Sequence, residues 1–433
     1  MKFGGSSVES AEAIARVAKI VRAAEPPVVV VVSAMGKTTN RLLEMAECAV
    51  RGEREKALEL CASLREYHER EAGSHPAIGE RFSELAELLR GLAILGELTP
   101  RSIDAISSFG ERLSSVLVAN ALGAAHADSR RYVVTDARHT QAAPLYGPTF
   151  ERLKTLPRAP VVVMGGFIAA TEFGVTTTLG RGGSDFSASI LGAGLGAREI
   201  QIWTDVDGML TADPRVTPLG RRVKIISFAE AAELAYFGAK VLHPSTVVPA
   251  VEKNIPVRIL NSRRPEVQGT LIVAEAPASK NVVKSIACKT GITVVNVHST
   301  RMLMAHGFLR RIFEVFDRFQ TSVDMVSTSE VSVSLTIDNA AKLPAIRTEL
   351  AAFAEVETVD RQAIVSLVGD EIRSTPGVAH RVFRALNGTN VRMISQGASK
   401  RNLSVVLEEA GLRTAVESLH SEFFSELDPM VFD

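Results

Sequence analysis

Short apolar runs alternate with stretches of helical periodicity over about the first 275 residues. This alternation predicts βαβ units and a mostly parallel sheet. A helix is predicted to begin at Ser10, a good N-cap, and to end near the Pro26-Pro27 pair. Residues 40–98 have a helical pattern with interspersed charges, which predicts a layer or lid flanking the sheet. The predicted strands are Val28–Val32, Val161–Met164, Ile200–Trp203 and Val257–Leu260.

The pattern changes after about residue 275, where Pro277 and nearby charged residues predict a linker into a strand around Val283–Val297. Two later segments resemble each other, which predicts paired βαββαβ modules. In each copy a glycine opens a helix, and a short strand, a polar turn and an apolar strand follow. The helices open at Gly307-Phe308 and Pro376-Gly377, and the apolar strands are Val331–Ile337 and Leu403–Leu407.

Composition narrows the class of protein. The chain has 433 residues, with 49 Lys and Arg balancing 49 Asp and Glu, so no global charge favours nucleic acid or an anionic membrane. Its 46% hydrophobic content argues against disorder. Three cysteines without metal-ligand spacing fit a reducing compartment. No run approaches the roughly 20 apolar residues that span a bilayer. We therefore expect a cytoplasmic protein, or a protein of the plastid stroma if a leader has been removed.

A lysine and two glycines stand near the start of the chain, in Lys2-Phe3-Gly4-Gly5. A cation at a strand end, followed by glycines and a helix start, forms a turn whose N–H groups can bind phosphate. An ordinary strand-to-helix turn would use the same residues. The segment matches neither the GxxxxGK[ST] nor the GxGxxG pattern. Phosphate binding and a plain turn therefore stay open as alternatives.

Hydroxyl and amide side chains, from Ser33 to Asn40, directly follow the Val28–Val32 strand. Open α/β sheets bind ligands at the carboxyl ends of their strands, so these groups suit a small polar substrate. The alternative is a capped helix start, in which Thr38 or Thr39 only satisfies backbone N–H groups.

A glycine-rich cluster comprises Gly165–Phe167 and Thr176–Asp185, ahead of a helix of small residues. Arg181 can bind a carboxylate through two parallel hydrogen bonds, and the glycines let the backbone approach a ligand closely. A flexible loop without a ligand is the alternative.

Acidic residues, among them Asp205 and Asp207, follow the Ile200–Trp203 strand. Carboxylates here can hold a ribose, or a Mg²⁺ ion that needs only one or two carboxylates beside substrate phosphates. A solvated turn would also favour Asp207-Gly208. Lys240 follows a predicted helix and, taken alone, would be only a cation at a helix end.

Taken in order, these segments resemble the aspartate kinases of the amino-acid kinase family over nearly the whole chain. KFGGSSV, VSAMGKTTN, SFGE, TTLGRGGSD, WTDVDG and AELAYFGAKVLHP occur in the family's order and at suitable spacing. SVDMVSTSEVSVSLTID and VRMISQGAS resemble the ACT regulatory domains of lysine-sensitive, single-function members, and KTTN and ELAYFGA resemble the plant-type branch. Any one of these segments is weak evidence, whereas the ordered set is highly specific.

The resemblance implies an α/β fold, with a three-layer αβα amino-acid kinase (carbamate kinase-like) domain followed by two ferredoxin-like βαββαβ ACT domains. It implies a catalytic domain at residues 1–275, a linker and first ACT domain at 276–363, and a second ACT domain at 364–433 completed by the strand near 283–297. The implied reaction is transfer of the γ-phosphoryl of ATP, with Mg²⁺, to the β-carboxylate of L-aspartate. Its product, 4-phospho-L-aspartate, begins lysine, threonine and methionine biosynthesis.

The resemblance also implies site residues, position by position. Glu111 would bind the substrate ammonium and Arg181 the substrate α-carboxylate, and no residue is assigned as a metal ligand. The implied catalytic residues are Lys2, Arg181, Asp185 and Lys240. The implied aspartate site is Ser33, Thr39, Glu111, Arg181, Gly182, Gly183 and Ser184. The implied nucleotide site is Lys2, Phe3, Gly4, Gly5, Thr204, Asp205, Leu210, Arg215, Lys240 and Val241.

An inhibitory amino acid, with L-lysine placed first, is implied to bind at the ACT domains. Asp324 would pair with its α-ammonium and Glu330 with its side-chain ammonium, so two carboxylates would match two cations. Met304 stands where some lysine-sensitive relatives have histidine, so threonine, or lysine with S-adenosylmethionine, stays an alternative. The implied site is Met302, Phe308, Leu309, Ser322, Val323, Asp324, Thr328, Ser329 and Glu330.

Two other functions stay open at the level of sequence. One is another amino-acid kinase, acting on glutamate or a nucleotide monophosphate. The SFGE segment and the ACT segments argue against it. The other is a non-catalytic amino-acid sensor, against which the presence of Lys2, Glu111, Arg181, Asp185 and Lys240 speaks. A homodimer or dimer of dimers through the ACT domains is expected, with neither nucleic acid nor membrane as a partner.

Overall fold

The computed structural model describes residues 1–73, 75–238, 244–299 and 306–433. The strands are β1 (Lys2–Phe3), β2 (Val28–Val32), β3 (Ala125–Ala127), β4 (Val134–Thr135), β5 (Val161–Gly165), β6 (Ile168–Thr171), β7 (Thr176–Thr178), β8 (Ile200–Thr204), β9 (Ile225–Ser227), β10 (Val257–Asn261), β11 (Thr270–Val273), β12 (Ser285–His298), β13 (Val326–Thr328), β14 (Ser332–Ile337), β15 (Glu355–Val368), β16 (Val391–Gln396) and β17 (Asn402–Glu408). The helices are α1 (Ala11–Arg22), α2 (Thr38–Val50), α3 (Arg54–Ala72), α4 (Pro76–Leu95), α5 (Pro100–Ser107), α6 (Phe109–Leu122), α7 (Tyr146–Leu153), α8 (Gly183–Leu195), α9 (Phe228–Tyr236), α10 (Val248–Glu252), α11 (Phe308–Arg318), α12 (Leu343–Ala351), α13 (Val378–Ala385) and α14 (Leu412–Phe423).

The chain forms two compact units. The first comprises Met1–Met209 and Val241–Ala276, and the second comprises Leu210–Lys240 and Pro277–Asp433. The chain therefore enters the second unit for 31 residues (210 to 240), returns to the first, and leaves it again after residue 276. The domain boundaries expected at residues 275 and 363 stay predictions.

The sheet of the first unit is mostly parallel, as predicted. Its strands lie in the order β3-β5-β2-β1-β8-β10-β11, and all neighbours are parallel except β10 and β11. The two-residue strand β1 is central, with Lys2 beside Val31 on one side and Ile202 on the other. Helix α6 packs on β2 and β5, and α8 packs on β1, β2 and β8. A smaller sheet has the order β4-β6-β7.

Helix α1 shows how sequence determines local structure in this unit. The Ser10 Oγ accepts a hydrogen bond from the Ala13 N–H, which satisfies one of the unpaired N–H groups at the helix start. Ile14, Val17 and Val21 share one face and lie in the core of the unit. Helices α2, α3 and α4 contribute to the same core, so the predicted helical region of residues 40–98 is confirmed as a packed layer.

The second unit contains an antiparallel sheet in the order β13-β14-β12-β15-β17-β16. Its long strands, β12 and β15, pair from Ser285 with Val368 to His298 with Glu355. The end of β12 also pairs with β14, whereas the end of β15 pairs with β17. The two strands thus join the two copies of the repeat in one sheet.

The two predicted repeat helices are confirmed as α11 and α13. Each is preceded by a glycine in the left-handed region, Gly307 at φ 81° and Gly377 at φ 83°, where a side chain would be strained. Ile312 and Phe316 of α11 pack with Val295 and Leu335 of the sheet in a separate core. The second unit therefore has an apolar core of its own.

Helix α9, within the 210–240 segment, is fastened to the rest of the second unit by buried polar contacts. Ser227 and Glu230 form a capping box at its start. The Glu230 carboxylate also forms a fully buried ion pair with Lys284, at 3.2 Å. One turn later, Glu233 accepts hydrogen bonds of 2.6 Å from both the Ser399 hydroxyl and the Asn402 amide. Since an unpaired buried charge is costly, α9 depends on these partners.

Candidate active site

The carboxyl ends of four neighbouring parallel strands, β5, β2, β1 and β8, meet at one edge of the first unit's sheet. The segments predicted to carry chemistry follow these strands directly. Gly4 follows β1, Ser33 follows β2, Gly166 follows β5 and Asp205 follows β8. Segments up to 200 residues apart in sequence are therefore brought together because parallel strands end at the same edge.

Close backbone contacts at this edge require glycine. A Cβ atom on Gly5 would lie 2.8 Å from the Ala34 carbonyl oxygen, and the Gly5 carbonyl accepts a hydrogen bond from the Gly36 N–H. A Cβ atom on Gly166 would lie 2.7 Å from the Ser184 Cβ. These contacts hold the turns after β1, β2 and β5 against one another and against the first turn of α8.

A cavity of about 250 Å³ opens at this edge. It brings together eight of the predicted site residues, whose backbones come from β1, the turn after β2, α2, α6 and the start of α8. Phe167 and Gly180 also line it, although they were not among the predicted site residues. The lining is Lys2, Ser33, Thr39, Glu111, Phe167, Gly180, Gly182, Gly183, Ser184 and Asp185.

The two threonines after β2 have different surroundings. The Thr38 hydroxyl is buried and donates to the Met35 carbonyl at 2.6 Å, so it serves the backbone at the start of α2. Thr39, the next residue, lines the cavity. Since α2 has no side-chain cap hydrogen bond, neither threonine satisfies a backbone N–H as the capping alternative requires, and substrate binding by this segment stays a prediction.

The cation of the cavity is Lys2, whose Nζ lies 2.8 Å from the Asp185 Oδ1. Both side chains are largely buried, with 11% and 17% of their surfaces exposed. Lys2 is held by the central strand and Asp185 by the first turn of α8, whose N-terminus also favours a negative charge. The pair therefore places a fixed positive charge at the cavity wall.

Glu111 is the carboxyl group of the cavity with an unused oxygen. Its Oε1 accepts a hydrogen bond from the Ala34 N–H at 3.1 Å, whereas its buried Oε2 has no hydrogen-bond partner among the described residues. Burial raises the pKa of the Glu111 carboxyl to about 8, although the Ala34 N–H and the Lys2 charge act in the opposite direction. A ligand cation beside Oε2 would satisfy this oxygen and stabilise the ionised carboxylate.

The turn before α8 is built on glycines in the left-handed region, Gly180 at φ 74° and Gly182 at φ 70°. The Gly183 N–H donates to the Gly180 carbonyl, and the Asp185 N–H donates to the Gly182 carbonyl. Arg181, between the two glycines, is exposed and is not part of the cavity lining. We name residues 180–185 the glycine turn.

The residues predicted to bind the nucleotide are distributed over both units. Thr204 and the exposed Asp205 end β8 in the first unit, where the Thr204 hydroxyl donates to the Asp205 carboxylate. Leu210 and Arg215 belong to the second unit, where the Arg215 guanidinium pairs with Asp213. Lys240 and Val241 lie outside the described residues.

The predicted effector residues that the structure describes lie in the second unit. Lys289 lies 2.7 Å from one oxygen of Asp324 and 2.8 Å from Asp338. The other Asp324 oxygen is buried and has no hydrogen-bond partner among the described residues. Burial and the nearby Asp338 charge raise the pKa of Asp324, whereas Lys289 lowers it.

The remaining predicted effector residues differ in their exposure to solvent. Phe308 is buried against Phe353, whereas Leu309 is exposed. Met302 and Met304 lie outside the described residues. Ser322 and Val323 precede β13, Thr328 is its exposed last residue, and the exposed Ser329 and Glu330 follow it.

In the described part of the chain, no group of three or more His, Cys, Asp or Glu side chains is arranged to hold a metal ion. Among the same residues, no helix combines the length and the apolarity that crossing a membrane requires.

Two family models match the chain. The amino acid kinase family model matches residues 1–261, and an ACT domain model matches residues 365–423. Aspartokinase 2, chloroplastic, of Arabidopsis thaliana is 41% identical over 99% of this chain and 84% of its own length. Lysine-sensitive aspartokinase 3 of Escherichia coli (strain K12) is 36% identical over 98% of both chains.

Solved structures give the same result. Escherichia coli aspartokinase III in complex with lysine and aspartate (T-state) matches with a TM-score of 0.82 at 36% identity, over 98% of both chains. The same protein in complex with aspartate and ADP (R-state) also matches with a TM-score of 0.82, over 98% of this chain and 99% of that one.

Proposed function

The chain belongs to the amino acid kinase family and, within it, to the aspartokinases, and from this premise we propose the reaction of its cavity. The protein transfers the γ-phosphoryl group of ATP to the β-carboxylate of L-aspartate and forms 4-phospho-L-aspartate and ADP. The observation that carries this assignment is the combination, in one cavity, of a fixed ammonium at Lys2 and a buried oxygen of Glu111 that has no hydrogen-bond partner in the described part of the chain.

Glu111 selects an amino acid in this proposal. Its free Oε2 accepts the substrate ammonium, because a buried carboxylate without a counter-charge is unfavourable and a bound ammonium supplies that charge. The neighbouring Ser33 and Thr39 add hydroxyl groups to the same wall. Arg181 binds the substrate α-carboxylate when its exposed guanidinium turns toward the cavity.

The phosphoryl transfer itself needs positioning and charge neutralisation rather than a nucleophile on the protein. A β-carboxylate oxygen of aspartate attacks the γ-phosphorus, and the bond from that phosphorus to the bridging oxygen of ADP breaks. No proton has to be removed, because the attacking carboxylate is already ionised. Lys2, held by Asp185, stabilises the charge on the transferred group, and its Nζ lies 3.8 Å from the Cβ position of Gly4.

The nucleotide site comprises Lys2 to Gly5, Thr204, Asp205, Leu210, Arg215, Lys240 and Val241 in this proposal. Mg²⁺ fits the acidic residues present, since it needs only one or two carboxylates beside the phosphates, and Asp205 is exposed at the end of β8. When bound, the ion neutralises phosphate charge. The Escherichia coli relative has been crystallised with aspartate and ADP, which supports an adenine nucleotide as the second substrate.

Lysine is the proposed feedback inhibitor, bound near Asp324 in the second unit. Support comes from the complex of the Escherichia coli relative with lysine and from the unpartnered, buried Oδ2 of Asp324, which can accept an effector ammonium. Glu330, exposed just after β13, offers the second carboxylate. The effector acts only through its different affinities for active and inactive states.

We further propose a homodimer, or a dimer of dimers, assembled through the ACT domains, with no nucleic acid or membrane partner. The balanced charge of the chain supports the last point. We place the protein in the cytoplasm, or in the plastid stroma if it is a plant protein, since several of its relatives are chloroplastic.

The test is an assay of the purified protein with Mg²⁺-ATP and hydroxylamine, which traps the acyl phosphate as a hydroxamate. Aspartate, glutamate and uridylate are offered in parallel, and ADP release is measured for each, because phosphorylated uridylate is not an acyl phosphate and forms no hydroxamate. Hydroxamate with aspartate well above that with glutamate supports the proposal. Phosphorylation of glutamate or uridylate alone, or no product from a folded protein that still binds aspartate, contradicts it.

A further inference from the structure

Asp104 in α5 is a fully buried carboxylate outside the cavity lining, with 0% of its surface exposed. It accepts hydrogen bonds from the Thr178 hydroxyl at 2.6 Å and from the Thr140 N–H at 3.0 Å. The His139 Nδ1 lies 2.7 Å from its other oxygen. In the described residues no lysine or arginine lies within ion-pair distance of Asp104. Since burial of a carboxylate is costly, these donors must be held in place around it.

Two of these donors determine where the glycine turn begins. Thr178 is the last residue of β7, and Gly180 follows it by two positions. Thr140 has a φ of 70° and directs its carbonyl oxygen to within 3.1 Å of the Cβ position of Gly180, where φ is 74°. The Ala142 N–H also donates to the Thr178 carbonyl. Asp104 therefore joins the end of β7 to the loop against which Gly180 packs.

The same carboxylate is connected to Glu111 through the backbone. Helix α5 ends at Ser107 and α6 begins at Phe109. Ser108, between them, is both the C-cap of α5 and the N-cap of α6. The Ser108 N–H donates to the Asp104 carbonyl, and the Arg112 N–H donates to the Ser108 carbonyl. Because Glu111 lies in the first turn of α6, a rigid path of seven residues joins Asp104 to the ammonium site proposed above.

We propose that Asp104 is a positioning residue that sets the separation between Glu111 and the glycine turn. It does not touch the cavity; it fixes the relative place of two groups that do. The inference rests on the proposed function, in which Glu111 binds the α-ammonium of aspartate and Arg181, in the glycine turn, binds its α-carboxylate. A loss of this contact weakens aspartate binding more than ATP binding, because Arg181 and the glycines of the turn belong to the proposed aspartate site, whereas the turn is linked to the proposed nucleotide site through the Lys2–Asp185 pair.

The test uses Thr178→Val, which removes the hydroxyl that donates to Asp104 and keeps the shape of the side chain. Thr178→Ser keeps the hydroxyl. The matched control is Thr149→Val, another buried threonine of the first unit, whose Oγ accepts from the Val134 N–H and donates to the Val134 carbonyl in β4, at the opposite edge of the β4-β6-β7 sheet from Thr178. Asp104→Asn, which removes the charge, is made alongside.

We expect Thr178→Val to raise the KM for aspartate about tenfold or more, to leave the KM for ATP within about twofold, and to speed amide hydrogen exchange across residues 179–185. Thr178→Ser should resemble wild type in all three measurements. Thr149→Val should lower the melting temperature without changing either KM or the exchange of this peptide.

The proposal is overturned if Thr178→Val keeps the wild-type KM for aspartate, or if Thr149→Val raises it equally. Hydrogen exchange separates this outcome from a failure of the proposed reaction. If wild type makes no hydroxamate, the reaction is wrong, but faster exchange at residues 179–185 in Thr178→Val still shows that Asp104 holds the turn. Unchanged exchange in that variant refutes the holding contact itself.

Discussion

Replacement of Glu111 by glutamine should stabilise the first unit increasingly as the pH rises. In the free protein the Glu111 carboxyl is fully buried, and burial raises its pKa from 4.5 to about 8. The folded state therefore holds a proton that the unfolded state releases between these two values. Because the folded state binds more protons in that interval, stability falls as the pH rises through it. Glutamine stays neutral and does not incur this loss.

The size of the effect follows from the two pKa values. One pH unit corresponds to about 1.36 kcal/mol, so the interval from 4.5 to about 8 is worth roughly 4–5 kcal/mol once the pH exceeds 8. Between pH 5 and pH 8 the free energy of unfolding of wild type should fall by about 3–4 kcal/mol relative to that of Glu111→Gln. This free-energy difference is not reduced by solvent screening, because the Glu111 carboxyl group is buried.

Urea unfolding followed by tryptophan fluorescence measures this difference. Trp203 is the single tryptophan of the chain; it is buried in β8 and stacks on Phe3 with ring centroids 5.8 Å apart. Its signal therefore reports the unfolding of the first unit. Glu66→Gln, at an exposed position of α3, is the matched control and should stay within about 0.5 kcal/mol of wild type at every pH.

A difference between Glu111→Gln and wild type that stays constant from pH 5 to pH 8 would refute the reasoning. The same titration has a second readout. Aspartate binding at pH 7 should release about one proton from wild type, since the substrate ammonium stabilises the ionised Glu111, and none from Glu111→Gln. Calorimetry in two buffers of different ionisation enthalpy counts that proton.

Four further substitutions test the remaining assignments at the active site and the effector site. Lys2→Ala should lower kcat, because Lys2 acts on charge in the transition state, whereas Arg181→Ala should mainly raise the KM for aspartate. Steady-state assays measure both constants. If both variants change only substrate binding, and by the same amount, these roles are misassigned. Asp324→Ala should abolish inhibition by millimolar lysine, and a variant that stays inhibited contradicts this effector site. Gly166→Ala should cost about 1–3 kcal/mol by denaturant unfolding and most of the activity, because its Cβ overlaps the first turn of α8. Gly147→Ala, with open space around its Cβ, controls for that change and should be neutral or slightly stabilising.

The sequence predicted the parts of the structure that depend on local pattern. The valine run of β2 was placed at its observed bounds, Val28–Val32, because five consecutive β-branched residues between prolines and a polar turn fit a buried strand. The ordered motifs could be expected to meet, since they follow parallel strands. The pairing of Lys2 with Asp185 then follows from the neighbouring positions of β1 and α8.

Contacts that depend on packing left no pattern in the sequence. Asp104 lies in a short helix with no motif around it, and nothing in Ser102 to Ser108 shows that its side chain points at Thr178 across 74 residues. The internal ion pair of Lys289 with Asp324 likewise joins β12 to the segment before β13, and only the folded sheet brings these two parts of the chain together. The membership of residues 210–240 in the second unit could not be predicted either, because the motifs on both sides of that segment belong to the first.

Because residues 210–240 belong to the second unit, their folding during synthesis depends on residues that are made later. During synthesis from the N-terminus, α9 leaves the ribosome with Glu230 but without Lys284, which lies 54 residues further on. At about 5–20 residues per second, roughly 3–10 s pass before the partner exists, and longer before Ser399 and Asn402 reach Glu233. A nascent chain stopped near residue 276 would therefore contain Glu230 without Lys284, the cation that pairs with its carboxylate in the folded protein. The buried contacts of α9 can therefore be completed only after the rest of the second unit has been synthesised.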